Sequence, residues 1–275
     1  MANVIEPVVA VYSGDHPMIS VDCRPLDGRP PFAQVQPEAT HRAASLMKLG
    51  VMVELARQID RGVVSLEWNL LLRNEFDSVV TGTYALDPTK DSDPHLYRWL
   101  GRRVGVRVLA DRMITRSSNL ATNTLFALLD VDSLHAGLDA LGAGGLRVPR
   151  GIEDEAAVAA GRHTLATAAS LSALLVAIAD ERAASPARCE WMRGVLTRQF
   201  WAEEIPAGLP AESLVGNKTG WLDGVQHDAA LVLPPDGPGF ALAVCTTGIV
   251  DSHVRRRVIR ELATAAYRHA PRHDP

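Results

Sequence analysis

Ser45 and Lys48 stand three residues apart at the start of an apolar, helix-patterned run. On a helix that spacing puts both side chains on one face. A serine hydroxyl attacks a carbonyl carbon only when a nearby base takes its proton. A lysine becomes that base once burial or a neighbouring cation lowers its pKa. The chain has 28 lysines and arginines, yet only Lys48, Lys90 and Lys218 are lysines. Arginine keeps its charge and a buried lysine can lose it, so lysine in an arginine-rich chain marks a place where arginine would not serve. Two further elements hold chemistry. Ser117-Ser118-Asn119 offers a second hydroxyl to relay a proton to a leaving group and an amide to bind substrate. In Lys218-Thr219-Gly220 the lysine and threonine suit a substrate carboxylate, and the glycine admits a close approach to the backbone. The amides of Ser45 and of the following Trp221 are candidate donors to a developing oxyanion. Taken singly, each element has a plainer account: a helix-start serine with a surface lysine, a helix cap, and a surface turn.

Composition narrows the field around these residues. A chain of 275 residues with 47% hydrophobic content supports one large domain or two interleaved lobes. The net charge is −4, with no basic stripe, so nucleic acid is not an expected partner. Cys23, Cys189 and Cys245 are odd in number and widely spaced, which suits core residues rather than a disulfide framework. The nine histidines include no HExxH, and His227-Asp228 reads as structural rather than catalytic, so no metal site and no organic cofactor are expected. The first residues carry no basic region and only a short apolar run, Val8 to Tyr12, too short for a signal peptide or a membrane span. The expectation is a cytoplasmic protein without a membrane partner, or a periplasmic or secreted one if a leader has been removed. A monomer acting on a small-molecule substrate is expected.

The elements that must position these residues follow from periodicity. Val8–Tyr12 and Ile19–Asp22 read as strands, and Ala44–Arg61 as a helix stopped by Gly62. Residues 74 to 105 are irregular, and Asp87 to Pro94 reads as a surface loop. Helices are expected over Val108–Ile114, Leu120–Leu129 and Thr167–Ala183, with a glycine-opened loop from Gly142 to about His163. Lys218 begins a strand region, and Ala229–Leu233 and Phe240–Thr246 form a hairpin ahead of a basic helix, Val254–His269. Strands at both ends and helices between them predict an α+β fold. An antiparallel sheet built from residues 1–40 and 200–275 is flanked by helices, a mainly helical lobe of residues 41–199 is inserted, and the active site lies at their junction.

Together, in this order, the three elements resemble the signature of the penicilloyl-serine transferases, the class A β-lactamases and penicillin-binding proteins. Residues Met113 to Asn123 look like that family's segment around its second motif, with Ser118 where aspartate is commonest. The resemblance implies that Ser45 is acylated, Lys48 activates it and Ser117 shuttles a proton to the leaving atom. It implies that Asn119 binds the substrate's amide side chain, and that Lys218 and Thr219 hold its carboxylate. Gly220 and Trp221 complete the strand side, with Trp221 shaping substrate entry, while Trp201 is expected in the core. It also implies a glutamate that activates the deacylating water, in the loop Arg150 to Val158. Glu153 has the matching position and Glu155 competes with it, but no asparagine follows. A solvated acidic loop paired with Arg150 is the plain account of these acids. The strings Arg150-Gly151-Ile152-Glu153-Asp154 and Gly224 to Ala230 are similar to the β-lactamase-like serine hydrolases that share the fold and the Ser/Lys pair. The implied activity is hydrolysis of a cyclic amide such as a β-lactam, or of a related amide or ester. The alternatives are a D,D-peptidase-like or esterase/acyltransferase enzyme and a slowly acylated binding or sensing protein.

Overall fold

The computed structural model describes residues 5–12, 17–235 and 237–271. One five-stranded antiparallel sheet organises the molecule. Its strands are β1 (Met18–Pro25), β2 (Ala33–Val35), β3 (Leu214–Leu222), β4 (Val225–Leu233) and β5 (Phe240–Thr247), in the spatial order β2-β1-β5-β4-β3. Both ends of the chain therefore build the sheet, and β3 is an edge strand. The Val and Ala runs of β4 and β5 are buried on both faces, as expected for central strands covered on both sides.

The helices are α1 (Glu6–Tyr12), α2 (Met47–Asp60), α3 (Val106–Thr115), α4 (Asn119–Phe126), α5 (Val131–Ala140), α6 (Glu155–Ala159), α7 (Ala168–Ala179), α8 (Pro186–Leu196) and α9 (Ser252–His269). On one face of the sheet, α9 and α1 close a core containing Val21, Ala230, Leu242, Val258 and Leu262. On the other, α7 packs across β1, β4 and β5. There Ala229, Leu231, Ala243 and Cys245 join the same apolar cluster as Leu171, Leu174, Leu49 and Met52. That larger core runs without a break from the sheet into the helices, with α2 buried along most of its length.

Several expectations change. Val8–Tyr12 is the greater part of α1, not a strand: Pro7 suits the first helical turn, and Val8, Val9 and Tyr12 pack into the α9 core. A β-branched run takes the conformation its tertiary partner offers. The expected turn Ser13-Gly14-Asp15 lies outside the described residues, as does Asp236 within the hairpin loop. Asp87 to Pro94 is not wholly a surface loop, because Asp91 and Asp93 are buried. The Gly142–His163 stretch contains α6, and α5 and α8 were not anticipated. Lys218-Thr219-Gly220 sits in the middle of β3 rather than at its start. All three cysteines are buried and unpaired.

Candidate active site

A 3-10 turn, Ala44–Leu46, presents Ser45 and runs directly into α2. Ala44 adopts φ +47° to make that turn, a conformation few residues with a Cβ accept. Lys48 follows in the first turn of α2 and is fully buried. Its Nζ donates to Ser117 O at 2.6 Å, to Asn119 Oδ1 at 2.9 Å and to Ser117 Oγ at 3.1 Å. Lys218 reaches the same hydroxyl from β3, with Nζ donating to Ser117 Oγ at 3.0 Å and to Thr219 O at 2.6 Å. Ser117 thus lies between two buried lysines. It too has a left-handed backbone, φ +57°, and its carbonyl accepts both Lys48 Nζ and Ser92 Oγ. Sparsely populated φ values in residues with side chains concentrate at working sites; of the five such non-glycine residues among the described ones, Ala44, Ser117 and Glu153 belong to the candidate site and Gln36 and Glu181 do not.

The electrostatics follow from this crowding. Burial away from water holds Lys48 well below the ordinary lysine value, the Lys218 cation adds to the effect, and Asp91 opposes it. Burial pushes Lys218 down to about 7, against the pull of Asp228 and Glu204. A lysine with that environment can exist neutral and accept a proton. Among the described residues no hydrogen bond joins Ser45 Oγ to Lys48, and catalytic contacts commonly tighten only with substrate in place.

The strand side comes up hard against the nucleophile. A Cβ on Gly220 would lie 2.7 Å from Ser45 N and 3.2 Å from Leu46 N, so only glycine lets β3 approach the turn this closely. The Thr219 hydroxyl donates to His227 O at 3.1 Å and is fully buried. Trp221 is 40% exposed, and its ring meets that of Trp201 edge-on at 5.3 Å. Trp201 is only half-buried and donates its Nε1 to Arg116 O at 3.3 Å. It therefore spans from the Ser117 segment to the end of β3 rather than filling the core.

Asp91 is the residue that sequence reasoning missed. Its carboxylate accepts the amides of Asn119 at 3.0 Å and Leu120 at 2.9 Å, fixing the first turn of α4. Ser118, standing where aspartate is commonest in the family signature, caps the same helix through Ala121 N. A carboxylate from a distant loop thus supplies negative charge at this helix start. The only sequence signal was an acid-rich, Pro-flanked octet.

The acidic loop divides its roles. Asp154 is buried and caps α6, and it also accepts from Ser78 Oγ and Val79 N. Glu155 is exposed in the first turn of α6. Glu153 is half-buried, and Oε2 accepts the Asp87 amide at 2.9 Å. Burial raises its pKa, with that hydrogen bond opposing. No hydrogen bond links Glu153 to Lys48 or Ser45 among the described residues. His227 and Asp228 are both fully buried and bonded to backbone groups or to Asn217. Among the described residues no cluster of acids, histidines and cysteines suits a metal ion, and no helix is long and apolar enough to cross a membrane.

Known proteins share this fold. Beta-lactamase AST-1 of Nocardia asteroides is 33% identical over 146 residues, which is 52% of this chain and 47% of that one. The match thus spans about half the length of that curated relative. A beta-lactamase from Sphaerobacter thermophilus superposes with a TM-score of 0.81 at 24% identity, covering 96% of this chain and 95% of that one. The structure of PBP-A superposes with a TM-score of 0.81 at 20% identity, covering 98% and 96%. These likenesses establish the α+β fold, with its antiparallel sheet flanked by helices. A model of the beta-lactamase enzyme family matches residues 3–270, and the chain therefore belongs to that family.

Proposed function

We propose that the protein is a β-lactamase-like serine hydrolase that opens a cyclic amide, or cleaves a related small amide or ester, through an acyl-enzyme on Ser45. The observation that carries this reading is the hydrogen-bonded chain Lys48–Ser117–Lys218 beside the Ser45 turn, buried throughout and with both lysine pKa values depressed. In the first step Ser45 Oγ bonds to the substrate carbonyl carbon and its proton passes to neutral Lys48 Nζ. The amides of Ser45 and Trp221 receive the oxyanion. When the carbon–nitrogen bond breaks, Ser117 gives its proton to the leaving atom and regains one from Lys48. Asn119 takes the substrate's amide side chain, and Lys218 and Thr219 its carboxylate.

Water must then release the acyl group. Glu153 is the proposed base, with Glu155 its competitor. The bond from Asp87 N to Glu153 Oε2 favours a second reading, in which deacylation is slow and the protein behaves as a penicillin-binding or sensing protein. Intact-mass measurement after addition of benzylpenicillin and, separately, a fluorophosphonate distinguishes the outcomes. Rapid turnover of penicillin without lasting adduct supports the hydrolase, and a persistent adduct supports the binding reading. Labelling by the fluorophosphonate alone points to an esterase-like enzyme. An unchanged mass with both reagents, or an adduct that survives Ser45→Ala, contradicts acylation at Ser45.

A further inference from the structure

His227 touches the segment leading to Ser45, the strand that carries Gly220 and the neighbouring β5, and it has no role in the proposed reaction. Its ring is fully buried in β4. Nε2 is 2.9 Å from Arg42 O, three residues before the nucleophile, and a carbonyl only accepts. Nδ1 is 3.1 Å from Thr246 N, and a backbone amide only donates. Both contacts are satisfied by the neutral ring with its proton on Nε2. Gln226 O also lies 2.8 Å from Nδ1 and, although it accepts the Thr246 hydroxyl at 2.8 Å, has a second lone pair that an Nδ1–H could use; that tautomer, however, would set the Nε2 lone pair against Arg42 O and Nδ1–H against the Thr246 amide. Burial lowers the His227 pKa to about 4, in keeping with a neutral ring. His41, one residue before Arg42, stands edge-on to His227 with ring centroids 5.4 Å apart. It is anchored to Ser20 Oγ and Thr247 Oγ1, each at 2.8 Å.

The backbone of the same residue serves the strand side. His227 is the register partner of Gly220, whose α-carbon faces Ser45 N. Its carbonyl accepts the Thr219 hydroxyl. One residue therefore grips the backbone leading into the nucleophile turn through its ring, the Lys218-Thr219-Gly220 strand through its backbone, and β5 through Nδ1. The turn that follows Arg42 two residues on contains the left-handed Ala44, a conformation that persists only where its surroundings enforce it.

We propose that His227 is a positioning residue: as the neutral Nε2–H tautomer it sets the distance between the Ser45 turn and the Gly220 strand, and so the pair of amides that meet the oxyanion. This rests on the acyl-enzyme reading above. A displacement of about 1 Å at reacting atoms costs about 100-fold in rate. The expected loss on cutting the tie is therefore of that order in the acylation step, with substrate binding little changed.

The test combines a spectrum with a kinetic split. In wild-type protein labelled with [15N]histidine, the His227 ring is expected as the Nε2–H neutral tautomer at pH 7. An Nδ1–H tautomer or an imidazolium there overturns the proposal, whatever the protein's activity. His227→Ala is expected to slow the limiting acylation rate by a fluorophosphonate or benzylpenicillin about 100-fold. Its half-saturating reagent concentration is expected to stay within about threefold of the wild type. His227→Gln, whose amide can still reach Arg42 O, is expected to recover most of the rate. Wild-type acylation by folded His227→Ala overturns the proposal, as does a His227→Gln variant that is folded yet as slow as the alanine variant. Failure of the wild-type protein to be labelled by either reagent instead defeats the acyl-enzyme reading, and the tautomer measurement still decides whether the tie exists.

Discussion

In the proposed mechanism Lys48 and Lys218 serve opposite requirements from one hydroxyl's distance. There Lys48 must be neutral to take the Ser45 proton, whereas Lys218 must be charged to hold a carboxylate. Burial lowers both, and for Lys48 the repulsion between them adds to it. Their titrations are linked, so a rate profile reports the pair. The sign for Lys218 is nonetheless clear. Its charge is present below about pH 7 and is lost above it. The KM of a carboxylate-bearing β-lactam is therefore expected to rise as pH increases through neutrality. That of an uncharged ester is not, and steady-state kinetics from pH 5 to 9 compare the two. At this scale the sequence was most legible. Ser45, Lys48, Ser117 and Lys218 were candidates from residue type, spacing and the family resemblance, and the structure brings Lys48, Ser117 and Lys218 into one hydrogen-bonded group. The scarcity of lysine gave a physical reason to expect buried, neutral forms. The left-handed backbones of Ala44 and Ser117 were invisible, because neither residue type announces that conformation.

At the scale of elements, the site depends on where helices and strands begin. Helix α4 must present Asn119 to Lys48, and Asp91 holds its first turn through two amides. Removing that carboxylate leaves buried N–H groups without an acceptor. Asp91→Ala is expected to cost about 1–2 kcal/mol of stability and to slow acylation as well, since Lys48 and Ser117 share the same corner. Thermal melts and fluorophosphonate labelling read the two effects separately. Asp91 escaped sequence reasoning because a short run of acids between prolines has the chemistry of a solvated loop. Only the fold turns two of those acids, Asp91 and Asp93, inward. The assignment of Val8–Tyr12 to a strand failed for a related reason. Its composition favours β structure in isolation, and its packing on α9 decides for helix. Long periodic stretches such as α2, α7 and α9 were legible, since one apolar face repeated over several turns leaves little choice. The α8 segment was missed: it spreads its buried residues Cys189, Met192, Val195 and Leu196 among arginines and glycine.

At the scale of the whole molecule, the sheet and the helices share one apolar cluster, in which Leu231, Ala243 and Cys245 from the strands touch the set containing Leu171 and Met52. The candidate site lies along this seam, with Ser45 and Lys48 from the helical side and Lys218 and Gly220 from the sheet. A shared core predicts that the two parts unfold together. Far-UV circular dichroism and tryptophan fluorescence are expected to give coincident urea transitions. Separate transitions would mean that the lobes are independently stable and that the site is held by its polar contacts alone. The division into a sheet made from both chain ends and a helical insertion was legible in the order of elements. The path of α7 across the sheet face was not, because nothing in an apolar helix names its partner.

The proposed role of Lys48 as the base that activates Ser45 is tested most directly by the rate of acyl-enzyme formation by benzylpenicillin, followed by rapid-quench intact-mass spectrometry in wild type and Lys48→Arg. Arginine keeps the charge but cannot give it up at neutral pH. Adduct formation is expected in the wild type, with a loss of at least about 100-fold in the variant. Equal rates in the two proteins, with both folded, would contradict that role.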